Sequence, residues 1–275
     1  MNKFNHIITS IFDLFFYPFR SIDPIYGLCA VSLLTTVIML PIFKYTSNQE
    51  AIKRTKSRIM GHLLEVRLFK NDIRIVLSAQ KNMLKYNLIY LKHMLKPLLF
   101  VMLPVVIIII QTGLRYEYRP LHSGETAIVK VRINNPTKSE NAANGTLVLP
   151  KGLKVETPPL RINGGEEIYW RIKAEEEGEF DLSFRVFNKE IKKRIVIGDK
   201  VTKISPKTLK ENGLKTFFYP GEPALASDFE VESFEVRYPY MKVSLFGWTV
   251  HWLVLFFILS LVFGFMLLKP FRVSV

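Results

Sequence analysis

Three runs without a charged side chain dominate the pattern: residues 24–43, 97–114 and 243–268, of 20, 18 and 26 residues. About 20 apolar residues cross a hydrocarbon core of about 30 Å, so each run predicts a transmembrane helix. The first is too long for the apolar core of a secretory signal, and no small-residue cleavage site follows it. Ahead of it, Phe4, Ile7, Ile8, Ile11, Phe12, Phe15 and Phe16 recur at near-helical spacing, with Asn5, Thr9, Ser10 and Asp13 on the other side. That predicts an amphipathic helix in the membrane interface within 1–23, with Pro18 and Pro24 turning the chain into the bilayer.

Residues 45–96 join the first two runs and keep a helical period. Lys70-Asn71-Asp72 is a turn signal, and Asp72 is placed to cap the arm that follows. In the second arm Val76, Ala79, Met83, Tyr86 and Tyr90 step by three and four, as a coiled-coil seam does. Leu77, Leu84, Leu88, Leu91 and Leu95 make a second stripe beside it, and the first arm answers with Ile52, Ile59, Leu63 and Val66. One stripe pairs the arms. The surplus face, with Leu77, Leu84, Leu88 and Leu91, is left for a client, a partner or lipid headgroups.

From Arg115 onward the period falls to two. Residues 127–134, 146–149, 168–172, 180–186 and 191–197 alternate apolar with polar. Turn signals separate them at Asn135-Pro136, Pro150-Lys151-Gly152, Asn163-Gly164-Gly165 and Glu177-Gly178-Glu179. Short strands at this spacing predict an immunoglobulin-like β-sandwich over 115–200, with Trp170 in its core and without the Cys…Trp…Cys signature of antibody domains. Residues 201–242 are punctuated by proline and read as a membrane-proximal outer segment, with a short helix expected near Thr208 to Lys215. Asn144-Gly145-Thr146 fits a glycosylation sequon, which matters only in a secretory-pathway host. Trp248 and Trp252 suit the aromatic belt at the outer end of the third span.

Charge fixes the orientation. Residues 45–96 hold eleven Lys or Arg against three acids, whereas residues 113–242 hold 22 basic and 19 acidic groups. Most of the formal net charge of +14, namely +8, therefore sits in this loop beside the membrane, and a basic loop of this kind stays in the cytoplasm. The N-terminus and the β-sandwich then lie outside, and the tail at 269–275, with Lys269 and Arg272, lies inside. The same split removes the case for a sequence-specific nucleic-acid binder. Cys29 is the sole cysteine and lies within the first span, so the outer domain has no disulfide to hold it. The five histidines show no ligand spacing. Neither a metal nor a cofactor is expected, and no Ser-His-Asp set, carboxylate pair or phosphate loop marks an enzyme.

The order of elements resembles the core of the YidC/Oxa/Alb family of membrane-protein insertases. Residues 33–54, LLTTVIMLPIFKYTSNQEAIKR, resemble that family's run from its first core span into its cytoplasmic hairpin, with threonine before Leu40-Pro41 and then Ser47 and Gln49. Residues 62–85, HLLEVRLFKNDIRIVLSAQKNMLK, resemble its hairpin. Three spans place the chain nearest the archaeal YidC-like proteins and the insertase subunit of the ER membrane complex.

The resemblance implies a hydrophilic groove open to the cytoplasm, lined here by Ser32, Thr35, Thr36, Gln111 and Thr112. It implies client membrane proteins as partners, with the ribosome a further one, and a prokaryotic cytoplasmic membrane as the location. Two departures stand out. Many bacterial members have an arginine in the first core span, where this chain has no charge, and they place their outer domain ahead of that span. The expected architecture is thus a multi-pass α-helical membrane protein: spans at 24–44, 97–114 and 243–268, a cytoplasmic hairpin at 45–96, and an outer β-sandwich. The competing reading is a membrane-anchored adaptor whose sandwich binds an envelope partner.

Overall fold

A computed structural model describes residues 3–133, 145–162, 166–186, 189–210, 220–225, 230–245, 247–271 and 273. The expected turns at Asn135-Pro136 and Asn163-Gly164-Gly165, Asn144 of the sequon, most of the helix expected near Thr208 to Lys215, and Arg272 lie outside these residues. The chain forms two compact units: Met1–Gly27 with Ile110–Trp252, and Leu28–Ile109 with Leu253–Val275.

The first unit is built on two antiparallel sheets. The larger runs β3 (Leu153–Val155), β5 (Glu167–Ala174), β1 (Thr126–Ile133), β9 (Val231–Arg237) and β8 (Lys207–Leu209), with β4 (Leu160–Ile162) also on β5. The smaller runs β2 (Thr146–Val148), β6 (Gly178–Val186) and β7 (Lys189–Ile197). Alternation buries every second residue of β1 and β5, as a two-residue period requires. The inward side chains of both sheets meet in one core. Trp170 of β5 packs edge-on against Phe184 of β6 (5.7 Å between ring centres), and Phe184 packs likewise against Phe234 of β9 at 6.3 Å. Such aromatic pairs are worth about 0.5–1.5 kcal/mol beyond the area they bury.

Sequence and structure differ at two places in this unit. Residues 201–242 supply β8 and β9, and β9 pairs with β1 in the middle of the larger sheet. Thr208 and Leu209, expected in a helix, lie in β8. A register shift opposite Arg132 and Ile133 puts Ser233 and Phe234 both inside, so the alternation of β9 is broken and its strand signal weakened. At the start of the expected third span, β10 (Val243–Leu245) and β11 (Trp248–Val250) instead pair as an antiparallel hairpin. Gly247, at φ +84°, supplies the turn that a side chain would strain.

Among the described residues three helices are long and apolar enough to cross a membrane: α2 (Pro24–Thr46), α4 (Ile73–Tyr116) and α5 (Trp252–Phe271). The expected second hairpin arm and second span are one helix, α4, of 44 residues and about 66 Å. Pro97 removes one backbone bond without ending it, because strong helix formers continue on both sides. In the second unit α3 (Gln49–Leu68) and the first half of α4 form the hairpin. Asn48 caps α3 by accepting from the Ala51 amide at 3.0 Å, and Asp72 caps α4 by accepting from the Arg74 and Ile75 amides at 3.0 and 3.3 Å.

Candidate functional site

In the second unit α2 and α5 lie side by side and run the same way. The Ser32 hydroxyl donates to the Phe256 carbonyl at 3.3 Å, and the Thr36 hydroxyl to that of Ser260 at 3.3 Å. Lys44, in the last turn of α2, donates to the Phe271 carbonyl at the end of α5 at 2.8 Å, where a cation meets the negative end of the helix dipole. Ser32 and Thr36 on α2, and Ser260 and Gly264 on α5, are four residues apart and let the two backbones approach.

Beside this pairing a cleft of about 310 Å³ opens among α2, α4 and α5. Its polar lining is Thr35, Thr36 and Ser260; Met39, Phe43, Met94 and Phe256 are among its apolar walls. The hydroxyls are partly committed: Thr35 donates to the Val31 carbonyl at 2.6 Å and Thr36 also to that of Ser32 at 2.9 Å. The Ser260 hydroxyl is buried with no partner among the described residues. Among the described residues no titratable side chain lines the cleft. Its size matches a few side chains of an apolar segment, and methionine walls adapt to varied shapes.

The five groove residues expected from sequence fall into two groups. Thr35 and Thr36 line the cleft, and Ser32 is wholly buried against α5 instead. Gln111 and Thr112 belong to the first unit. There the Gln111 amide donates to the Thr9 hydroxyl at 3.1 Å, and Arg115 pairs with Asp13, donates to the Gln111 carbonyl at 2.6 Å and lies over the Phe16 ring. Lys203 stands 3.7 Å from the same aspartate. Helix α1 (Lys3–Phe16) therefore turns Asn5, Thr9 and Asp13 toward α4, while Ile7, Ile11 and Leu14 point away. The Gln111 Oε1, Thr112 hydroxyl and Tyr116 hydroxyl are buried without a partner among the described residues.

Within the first unit, segments outside the strands are bonded to and beside the ends of the apolar helices. The Ile204 amide donates to the Leu114 carbonyl at 2.7 Å, the Val201 amide to that of Arg20 at 3.0 Å, and Trp252 Nε1 to the Glu117 carboxylate at 2.8 Å. Gly27 meets the Tyr116 hydroxyl so closely that a methyl there would clash.

In the hairpin, Ile52 and Ala79 are buried between the arms, and the Arg58 guanidinium donates to the Tyr86 hydroxyl at 2.9 Å. Val76, Met83, Tyr86 and Tyr90 are half-buried. Leu77, Leu84, Leu88 and Leu91 are exposed, each near 60%.

Sequence reasoning missed Ser260 and Gly264, whose four-residue spacing was readable, and the Asp13–Arg115 pair, whose partners are 102 positions apart. Among the described residues no three His, Cys, Asp or Glu side chains gather as a metal site needs. No protein-family model and no curated protein matches this sequence.

Proposed function

We propose that the chain is a membrane-protein insertase of the YidC/Oxa/Alb type, set in a prokaryotic cytoplasmic membrane. The observation that carries this reading is the cleft walled by all three apolar helices, with Thr35, Thr36 and Ser260 among methionine and aromatic side chains. On this reading the N-terminus and an immunoglobulin-like sandwich face outward, the hairpin and C-terminus face the cytoplasm, and α1 lies in the outer interface. A client's apolar segment enters the cleft, and the exposed leucine face of the hairpin holds it beforehand. No covalent step is involved. The barrier at issue is that of carrying a client's polar flank across: a charge at the bilayer centre costs about 3 kcal/mol even on the mild insertion scale. Hydroxyls in a cleft reduce that cost less than a charged groove would, so clients with short, uncharged flanks fit best.

The adaptor reading draws on one observation: Ser32 and Thr36 bond to backbone carbonyls of α5, as hydroxyls do inside a packed anchor. A photocrosslinking residue decides between the two readings. Placed at Met39 in the cleft, it should capture a nascent single-span client in proteoliposomes, whereas at Leu99, 58% exposed, it should capture lipid. Equal client yields at the two positions, with insertion unchanged after removal of the protein, would sink the insertase.

A further inference from the structure

A larger cavity, of about 810 Å³, lies within the first unit, where the chain passes from α1 into α2. Beside Arg119, Pro120 and His122, which precede β1, three further segments enclose it: the α1–α2 connection, the stretch after β7, and the stretch between β9 and β10. Backbone bonds fix them, from the Val201 amide to the Arg20 carbonyl, from Arg119 to Pro239 and from Met241 to Glu117, each at 3.0 Å.

Each segment brings a cation to the cavity: Arg20, Lys200 and Lys242. The other charges in the lining are matched. Arg119 is held by Glu125 through two bonds of 2.8 Å, and His122 by Asp199 at 2.6 Å. Arg20 lies over the Tyr17 ring, 5.4 Å from its centre, and neither it nor Lys200 or Lys242 has an acidic partner among the described residues. Three cations therefore face one cavity whose one carboxylate among the described lining residues, Asp199, is bonded to His122. Cations that like-charge repulsion would otherwise separate, held together by fixed backbone, make an anion site.

The remaining walls say which anion. Ile22, Pro24 and Met241 give the same cavity an apolar side, and Pro24 is the first residue of α2. A free phosphate gains nothing from such a wall, whereas a headgroup that keeps its glycerol and upper chain carbons does. Tyr240 on the lining, 63% exposed, and Tyr26 beyond it, 61% exposed, are the amphipathic rings that sit at headgroup level. We propose that this cavity binds the phosphate of an anionic phospholipid of the outer leaflet, with Arg20, Lys200 and Lys242 as its ligands. The proposal rests on the membrane reading of the three helices and is independent of insertase activity.

The test uses the full chain in nanodiscs of phosphatidylcholine doped with phosphatidylglycerol, extracted gently, with bound lipid counted by native mass spectrometry. The wild type should retain phosphatidylglycerol in preference to phosphatidylcholine. Each cation near an anionic surface is worth about fivefold in binding, so Arg20→Gln/Lys200→Gln/Lys242→Gln should lose about a hundredfold. Lys200→Gln and Lys242→Gln alone, at exposed positions that folding does not depend on, should each lose about fivefold. A control that removes three exposed cations elsewhere, Lys151→Gln/Lys154→Gln/Arg171→Gln, should keep the preference. Equal loss in the control and the cavity variant overturns the site. Displacement of the lipid by inorganic phosphate at matching concentration overturns the lipid assignment in favour of a soluble anion. A chain that does not enter nanodiscs at all overturns the membrane reading beneath it, and that failure is visible before any lipid is counted.

Discussion

The two units share an apolar interior, with Leu28, Val31 and Phe256 buried in the helical one, but differ in what they expose. In the β unit Val129, Ile168, Phe184 and Phe234 are wholly inside, and charged residues take the alternate, outward positions. In the helical unit Ser32 and Thr36 are inside, while Leu98, Leu99, Phe100, Leu261 and Phe265 are more than half exposed. Burying apolar side chains is favourable only when the alternative is water. Exposed leucines beside buried hydroxyls suit the membrane reading proposed above, since in an apolar solvent polar groups need partners and leucines do not. Helix α1 carries the same inversion into the first unit, with Asn5 and Thr9 inside and Ile7, Ile11 and Leu14 outside.

The comparison breaks first at its largest expected effect. Phe184→Ala empties the place where both sheets meet and should destabilise the β unit by about 3–5 kcal/mol. Leu99→Ala, on the outward side of α4, should change stability by less than about 0.5 kcal/mol. Thermal melts of the full chain in detergent, followed by near-ultraviolet circular dichroism, measure both. Comparable losses at the two positions would mean that α4 buries Leu99 against protein after all.

One buried charge runs against the pattern of the β unit and sharpens it. Lys193 of β7 is 1% exposed and donates to the Glu222 carboxylate at 2.6 Å, the Ser205 carbonyl at 2.6 Å and the Thr208 hydroxyl at 3.0 Å. Burial pulls its ammonium below the ordinary lysine value, and Glu222 opposes that pull. Lys193→Ala leaves the glutamate without its partner and should cost about 3 kcal/mol. The double variant Lys193→Met/Glu222→Leu should recover most of the loss, because an apolar pair of similar volume removes both desolvation penalties. If the double variant is no better than the single one, the network contributes specificity of packing beyond its charge balance.

Much of this was legible along the chain, for reasons that also explain the rest. The strands β1, β5 and β6 alternate without interruption, so their positions follow from the period alone, whereas β7 departs from it at Lys193, a charge turned inward, and at Val196, buried between Ile195 and Ile197. Strand β9 alternates imperfectly because of the shift opposite Ile133, and β10–β11 hides inside an uncharged run that hydropathy cannot divide. The turn at Lys70-Asn71 and the cap at Asp72 were readable because they are local. The cleft was half readable: Thr35 and Thr36 are polar positions in an apolar run, whereas Met39, Phe43 and Met94 look like any span residue until three helices are placed together. Asp13–Arg115 and the three cations of the outer cavity are assembled from distant segments, and no local pattern marks them.

A smaller effect tests whether the β unit answers to water as the comparison says. The Glu125 carboxyl is held below its ordinary value of 4.5, first by the two bonds from Arg119 and then by the His122 amide. The folded state therefore binds fewer protons than the unfolded state in acid, so stability rises with pH through this window. The contribution is complete above about pH 4.5 and disappears as pH falls through the lower folded value. Melting temperature against pH should fall less steeply for Glu125→Gln than for the wild type, from a lower plateau at neutral pH. Parallel curves would assign the acid sensitivity to other carboxylates, with Glu167 beside Lys130 the next to test.

A modest effect on stability is expected at the exposed face of the hairpin. Leu77, Leu84, Leu88 and Leu91 are exposed beside a seam that already joins the arms through Ile52, Ala79 and Tyr86. Changing all four to serine removes no core contact, so the far-ultraviolet melt should move by no more than about 2 kcal/mol, chiefly from lower helix propensity. If the face serves only to cover lipid headgroups, client capture by a crosslinker at Met39 should stay as in the wild type. If it holds clients, capture should fall while the fold persists. A large melting shift would instead show that the leucines pack against another part of the assembled protein, and the inverted pattern of the helical unit would then stop at the membrane surface.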